Sequence, residues 1–313
     1  MAKTAFLFPG QGSQFVGMGL DFHKAHEWAR DLFALADEVT AKPISRLCFE
    51  GPLEELTRTV NLQPAITAMN LVCLQALLDK GLEPQVTAGH SLGEYSALAA
   101  SGVISTADAL RLVNTRGELM QRDADRRPGS MQAVIGLSRE EVEGLAELAK
   151  DHGPVVVANH NTPQQLVITG KSAAVAALAK LAKAKGARTV PLPVSGAWHS
   201  PLMHEAAADF AAVLEQTVFS PPAREIILNV TAEKEPDPDR IKAVMARQIT
   251  SPVRWSGIIE KMLKEGVTDF VEVGPKKVLA GLVKKIVPRE AKVKIINVQD
   301  QAGVDLALEK LSD

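Results

Sequence analysis

The chain of 313 residues predicts an α/β fold in which a compact β-α-β-β-α-β unit interrupts a larger alternation of strands and helices. Two observations carry that prediction. The first is a series of short apolar strands at Thr4–Phe8, Gln85–Ala88, Ile226–Val230, Asp269–Val273 and Lys294–Val298. The second is the order strand (Met131–Ile135), helix (Ser138–Lys150), strand (Val155–Ala158), strand (Gln165–Thr169), helix (Ser172–Lys185), strand (Arg188–Pro193), the split pattern of a ferredoxin-like unit. Because the alternation resumes afterwards, that unit reads as a small subdomain at 128–195, inserted into a large domain formed by 1–127 and 196–313.

Each element has a local reason. The first strand runs into Pro9-Gly10-Gln11-Gly12-Ser13, a loop whose glycines expose backbone N–H groups able to bind an oxyanion. A helix near 61–80 tolerates Pro64 in its expected first turn and stops at Gly81. Another, Leu92–Ala100, stops before Gly102, and Ser105 suits the N-cap of a third that reaches Arg122. The polar run Asp123–Gly129 then reads as a linker, and Lys234–Asp239 as a turn.

The most informative stretch is GHSLGE, Gly89 to Glu94, which puts Ser91 between two glycines where a strand becomes a helix. Gly89 and Gly93 remove side chains that would crowd a sharp turn, and the helix N-terminus adds positive potential beneath the hydroxyl. That geometry suits nucleophilic acyl transfer, with Ser91 the candidate nucleophile. A serine needs a base, and the chain has seven histidines. His23, His26, His152, His160 and His204 lie in polar or loop surroundings without an evident role, and His90 reads as packing or a hydrogen bond. His199 is the candidate base, in a loop between the insertion and the next helix, Val194 to Met203. Arg116 falls in the apolar stripe Ala109, Leu112, Val113, Leu119, Met120 of its helix, so it needs a buried anion. That anion is either an internal carboxylate or a substrate carboxylate or phosphate held bidentately.

Composition excludes other classes. A formal charge of −2 gives no basic excess for nucleic acid, and two cysteines, Cys48 and Cys73, offer neither a disulfide framework nor a metal site. No apolar run approaches the roughly 20 residues of a membrane span, and the start MAKTAFLFPG is too short for a signal peptide, so a cytoplasmic protein is expected.

Five motifs occur in order: FPGQGSQ (Phe8 to Gln14), GHSLGEYSAL (Gly89 to Leu98), GAWHSPLM (Gly196 to Met203), QITSPVRW (Gln248 to Trp255) and EVGP (Glu272 to Pro275). Together they resemble the acyltransferase family of fatty acid and polyketide synthesis, and within it the malonyl-CoA:acyl carrier protein transacylases. The resemblance spans nearly the whole chain. It implies a hydrolase-like parallel-sheet domain with a ferredoxin-like insertion, Ser91 as nucleophile and His199 as base. It further implies an oxyanion hole from the N–H groups of Gln11 and Leu92, Arg116 on the malonyl carboxylate, and the Gln248 main-chain carbonyl orienting the histidine, so no triad aspartate is required. The substrates implied are malonyl-CoA and acyl carrier protein, with no cofactor or metal, and a monomer is expected. Two departures stand out. Trp198 takes the place where malonyl-specific relatives often have Phe, and Lys276 replaces the glycine usual after EVGP. Leu92 and the bulky Trp198 both favour malonyl over a branched unit. Alternatives are an acyltransferase for another acyl-CoA in polyketide synthesis, a serine hydrolase, and a non-catalytic carrier-binding module. Lys183, Lys185, Arg188, Lys276 and Lys277 are candidates for docking an acidic carrier.

Overall fold

Alternate residues of the first strand face opposite layers, and that alternation organises the molecule. In the computed structural model, which describes residues 2–194 and 196–311, β1 (Lys3–Phe8) sends Phe6 and Phe8 into one apolar cluster and Ala5 and Leu7 into another. A strand buried on both faces belongs at the centre of a covered parallel sheet. Here the order is β7 (Glu225–Ile226), β2 (Val86–Gly89), β1, β8 (Val267–Val273), β9 (Lys294–Val298), every pair parallel.

Four helices not anticipated from the pattern, α1 (Leu20–Ala25), α2 (Glu27–Thr40), α3 (Ile44–Glu50) and α4 (Leu53–Thr57), lead into α5 (Thr59–Leu78). α5 begins earlier than expected, so Pro64 lies inside the helix, where its missing N–H leaves the Val60 carbonyl without an i+4 donor. Lys42 Nζ donates to that carbonyl at 3.3 Å. By length and composition α5 is also apolar enough to cross a membrane, contrary to expectation, yet 83% of its most apolar window is buried within the protein. α6 (Gly93–Ala100) and α7 (Thr106–Arg126) follow the second strand. Ser105 caps α7 by accepting the Asp108 N–H at 3.0 Å.

The stretch read as a linker is mostly helix. α7 continues to Arg126 because Asp123 is not solvated: it is fully buried, and its carboxylate accepts the Ala206 N–H at 2.8 Å in the first turn of α10 (His204–Glu215). Gly117 lets α7 approach α5 closely, since a Cβ there would lie 3.0 Å from the Thr59 carbonyl. Arg116 is carried into the core by that contact.

The inserted unit has β3 (Ser130–Ile135), α8 (Arg139–Ala149), β4 (Val155–Thr162), β5 (Gln165–Gly170), α9 (Ser172–Ala184) and β6 (Arg188–Pro191). Its antiparallel sheet runs β4-β5-β3-β6, the ferredoxin-like order, with a capping box from Ser138 and Glu141 starting α8. β4 extends four residues beyond its expected end, and His160, read as a loop histidine, is buried within it. The extension is held from the large domain: His160 N–H donates to the Val253 carbonyl and Val253 N–H to the Ala158 carbonyl, both at 2.8 Å. Ser195, the last residue of the expected insertion, lies outside the described residues. After it come α10, α11 (Pro238–Ala246), α12 (Trp255–Lys264), α13 (Val278–Ile286) and α14 (Gln301–Leu311) around the parallel sheet. The strand expected at Ile226–Val230 ends at Ile226, and the residues after it turn towards the serine.

Candidate active site

Backbone crowding builds the turn that presents Ser91. A Cβ on Gly89 would sit 2.0 Å from the carbonyl of Gly93, and one on Gly93 would sit 2.0 Å from the carbonyl of Phe8. Only glycine fits either position. Ser91 itself adopts φ 51°, a left-handed conformation costing about 1–3 kcal/mol for a non-glycine residue. His199, across the cavity, is likewise left-handed at φ 59°.

The two side chains meet. Ser91 Oγ lies 2.7 Å from His199 Nε2, while His199 Nδ1 is 3.1 Å from the Gln248 main-chain carbonyl and 2.9 Å from that of Ser251. Two carbonyl acceptors at Nδ1 put the proton there and leave Nε2 free to accept from the serine. Burial, followed by the nearby Arg116 charge, lowers the imidazole pKa to about 3, so the ring is neutral and competent as a base at neutral pH. Among the described residues no carboxylate takes the third position, and two peptide carbonyls fill it.

Arg116 is 2% exposed. Its guanidinium donates to Gln63 Oε1 at 2.8 Å, to Gln248 Oε1 at 3.1 Å and to Ser91 Oγ at 3.3 Å, and it lies 5.6 Å from the centroid of the Tyr95 ring. Among the described residues no carboxylate is hydrogen-bonded to it. The nearest relevant acid is Glu94, whose carboxyl burial pushes up to about 7, against hydrogen bonds and the Arg116 charge that pull it down. A guanidinium held by two neutral amides can pair with an anion brought beside the Ser91 hydroxyl.

Gln11 and Leu92 both line the cavity, and among the described residues neither backbone N–H has an acceptor. The loops that carry them press together, since a Cβ on Gly10 would lie 2.5 Å from the His90 carbonyl. A tetrahedral oxyanion on an acyl-Ser91 could accept from this pair.

The cavity holds about 280 Å³ and extends past Met131, Val167, Leu192 and Leu282. Trp198 is on its wall, 5% exposed, with its ring packed against Gly196. Asn159 and Asn161 at the end of β4 line the far side, and Asn161 Oδ1 lies 2.8 Å from His90 Nε2. His90 thus has a hydrogen-bonding role. Lys276, without an evident role in the sequence, has φ 62° and donates to the Gly12 carbonyl at 3.1 Å. Glu272 of EVGP accepts the Leu279 and Ala280 N–H groups at 2.9 and 2.8 Å, capping α13 at the cavity mouth.

Sequence reasoning missed Gln63, Asn159, Asn161, Asn229 and Ser251. The available signal was weak: a buried arginine needs acceptors, and Gln63 is only one of several polar residues, with Thr59, Thr67 and Asn70, buried on a largely apolar helix.

Fold and site together define an acyltransferase. The chain matches the acyl transferase domain family over residues 5–302 and belongs to it. It is similar to the malonyl CoA-acyl carrier protein transacylase of Bacillus subtilis strain 168, at 42% identity over 100% of this chain and 98% of that protein. Among solved structures, an acyl carrier protein S-malonyltransferase from Vibrio cholerae superposes with a TM-score of 0.93 at 41% identity, covering 98% of this chain and all of that one. A type II PKS acyl-carrier protein in complex with its malonyl-transacylase matches with a TM-score of 0.94 and 38% identity, over 99% of this chain and 100% of that chain.

Proposed function

We propose that this protein transfers the malonyl group of malonyl-CoA to the phosphopantetheine thiol of acyl carrier protein through a malonyl-Ser91 ester, supplying fatty acid synthesis. The observation that carries the reading is the buried Arg116 guanidinium 3.3 Å from the Ser91 hydroxyl, with neutral amides as its other partners. His199 Nε2 takes the Ser91 proton as the oxygen attacks the thioester carbon. The carbonyl oxygen becomes an oxyanion bound by the Gln11 and Leu92 N–H groups, where losing one such donor costs about 2.7–4 kcal/mol in a comparable site. The carbon–sulfur bond then breaks, the CoA sulfur takes the proton from His199, and malonyl-Ser91 remains. In the second half the carrier thiol gives its proton to His199 and attacks the ester, and His199 returns the proton to Ser91 as the new thioester forms. Arg116 pairs with the malonyl carboxylate throughout, and Gln248 holds both Arg116 and His199.

The exposed Lys276 and Lys277 precede α13 at the cavity mouth, while Arg188 on edge strand β6 and Lys183 and Lys185 near the end of α9 lie on the inserted unit's side. This basic set is the proposed docking face for an acidic carrier. We further read the enzyme as a cytoplasmic monomer that contacts neither nucleic acid nor membrane, in accord with its buried free thiols Cys48 and Cys73. The domain division 1–127 with 196–313 around 128–195 is part of the same reading, supported by the two separate sheets.

Intact-mass measurement after mixing with malonyl-CoA tests the reading. The parent should gain one malonyl adduct and Ser91→Ala none, and added holo carrier protein should remove the adduct and become malonylated itself. Release of free malonate without carrier labelling would identify a hydrolase instead.

A further inference from the structure

The last residue of GHSLGE has no part in the chemistry above. Glu94 is fully buried on the far side of the serine turn, and each of its carboxyl oxygens holds a different neighbour. Oε1 accepts the Asn229 backbone N–H at 2.7 Å, and Oε2 accepts from Gln248 Nε2 at 2.8 Å. Both neighbours in turn grip the backbone around Ser91. Asn229 Oδ1 accepts the Ser91 N–H at 2.7 Å and Asn229 Nδ2 donates to the Gly89 carbonyl at 2.6 Å, while Gln248 Nε2 also donates to the Ser91 carbonyl at 2.9 Å. The left-handed serine is therefore tied on both its N–H and its carbonyl by side chains anchored on one carboxyl group.

The same anchor has a second consequence. A glutamine amide can face either way, and here Nε2 is drawn to Glu94 Oε2 and the Ser91 carbonyl, which leaves Oε1 to accept from Arg116. Turned the other way, the amide would present N–H groups to the guanidinium, donor against donor.

We propose that Glu94 is a positioning residue that acts through Asn229 and Gln248 to hold Ser91 in its turn and aim an acceptor at Arg116, making malonyl selectivity depend on a carboxyl that never touches substrate. The proposal rests on the malonyl-transfer reading. Glu94→Gln keeps the shape but replaces one acceptor oxygen by NH2, which must meet the Asn229 N–H or the Gln248 amide. In a variant folded by circular dichroism, malonyl-Ser91 formation should slow at least about tenfold. Acetyl-Ser91 formation, which needs the turn but not Arg116, should slow less, so the malonyl-to-acetyl ratio should fall at least about threefold. Adding Glu94→Gln to Gln248→Met should lower the malonyl-to-acetyl ratio by less than about twofold further, because the route to Arg116 is already cut, while the remaining route through Asn229 slows both acyl groups alike.

An unchanged ratio in folded E94Q, or losses of the malonyl-to-acetyl ratio that multiply in the double variant, would overturn the proposal. If E94Q does not fold, Glu94→Asp carries the test, since it keeps the carboxyl but is too short to hold both Asn229 and Gln248. Loss of malonyl preference is then expected, and an unaltered preference overturns the proposal. A parent protein that forms no malonyl adduct would instead remove the functional reading itself.

Discussion

The two walls of the cavity are built in opposite ways. On the parallel-sheet side, backbone presses on backbone so closely that side chains are excluded, at Gly10, Gly89 and Gly93. On the inserted side, the cavity end of β4 puts Asn159 and Asn161 on the lining, and its backbone there is held by hydrogen bonds between Ala158, His160 and Val253. The difference separates two tasks. The close approach that shapes the Ser91 turn tolerates no added side chain, whereas the volume and polarity offered to the acyl group rest on side chains that can change one at a time.

The largest expected effect removes the charge that the large-domain wall offers to the acyl group while leaving the turn intact. Arg116→Ala should reduce malonyl transfer by about 2–5 kcal/mol, roughly thirty-fold to a few thousand-fold, because the substrate carboxylate then enters a buried site without a counter-charge. Acetyl transfer should be unchanged or improved, as acetyl carries no carboxylate. Rates with both acyl-CoA substrates, on protein shown to be folded, decide this; a parallel fall in both would make Arg116 a structural residue.

Next in size is the turn itself. Gly89→Ala places a methyl 2.0 Å from backbone atoms of Gly93, which cannot rotate away. Overpacking of this kind costs about 1–3 kcal/mol or more, and both malonyl and acetyl acylation should disappear together. Parent-like melting and acylation would show that the crowded wall can relax, and the contrast between the walls would fail.

What could be read from the sequence follows the same division. The glycine-bounded Ser91 and the arginine in an apolar stripe are local patterns, visible within one turn of strand or helix. Asn159, His160 and Asn161 were not legible as strand, because polar residues at the cavity end of β4 imitate a loop. Asp123 imitated a linker for a similar reason: its partner, the Ala206 N–H, lies 83 positions away. The hydrogen bonds linking Asn229 with Gly89 and Ser91, and Gln248 with Glu94 and Ser91, span 138 to 157 positions, so no spacing rule can find them. The resemblance supplied Gln248 through its carbonyl, but not the use made of its side chain.

A third test concerns protonation. His199 is held neutral first by burial and then by Arg116, with the Gln248 and Ser251 carbonyls opposing and His90 adding slightly. A folded pKa below the unfolded one means that stability contributed by this ring is complete above about 6.5, where the unfolded ring is also neutral, and is lost as pH falls towards about 3. Histidine NMR on the free enzyme should therefore show His199 unprotonated at pH 5, where an unperturbed imidazole would be about 97% protonated. A midpoint near 6.5 would mean that the crowded wall does not exclude solvent from the base.

The smallest effect sharpens the comparison from the inserted unit. Gly144 lies exposed in the middle of α8 with ordinary backbone angles, and a Cβ there meets nothing within 4 Å. Replacing it by alanine relieves the entropic cost of glycine in a helix, about 0.5–1 kcal/mol. Spread over the unfolding entropy of a chain this long, that gain raises the melting temperature by only about 1–2 °C if the whole molecule melts at once. If the inserted unit melts separately, the same gain acts on a smaller entropy and its own transition should move further. Scanning calorimetry distinguishes the two, and malonyl transfer should be unchanged in either case. A lowered melting temperature would show that α8 is constrained as tightly as the serine turn, and the inserted side could no longer be called the adjustable wall.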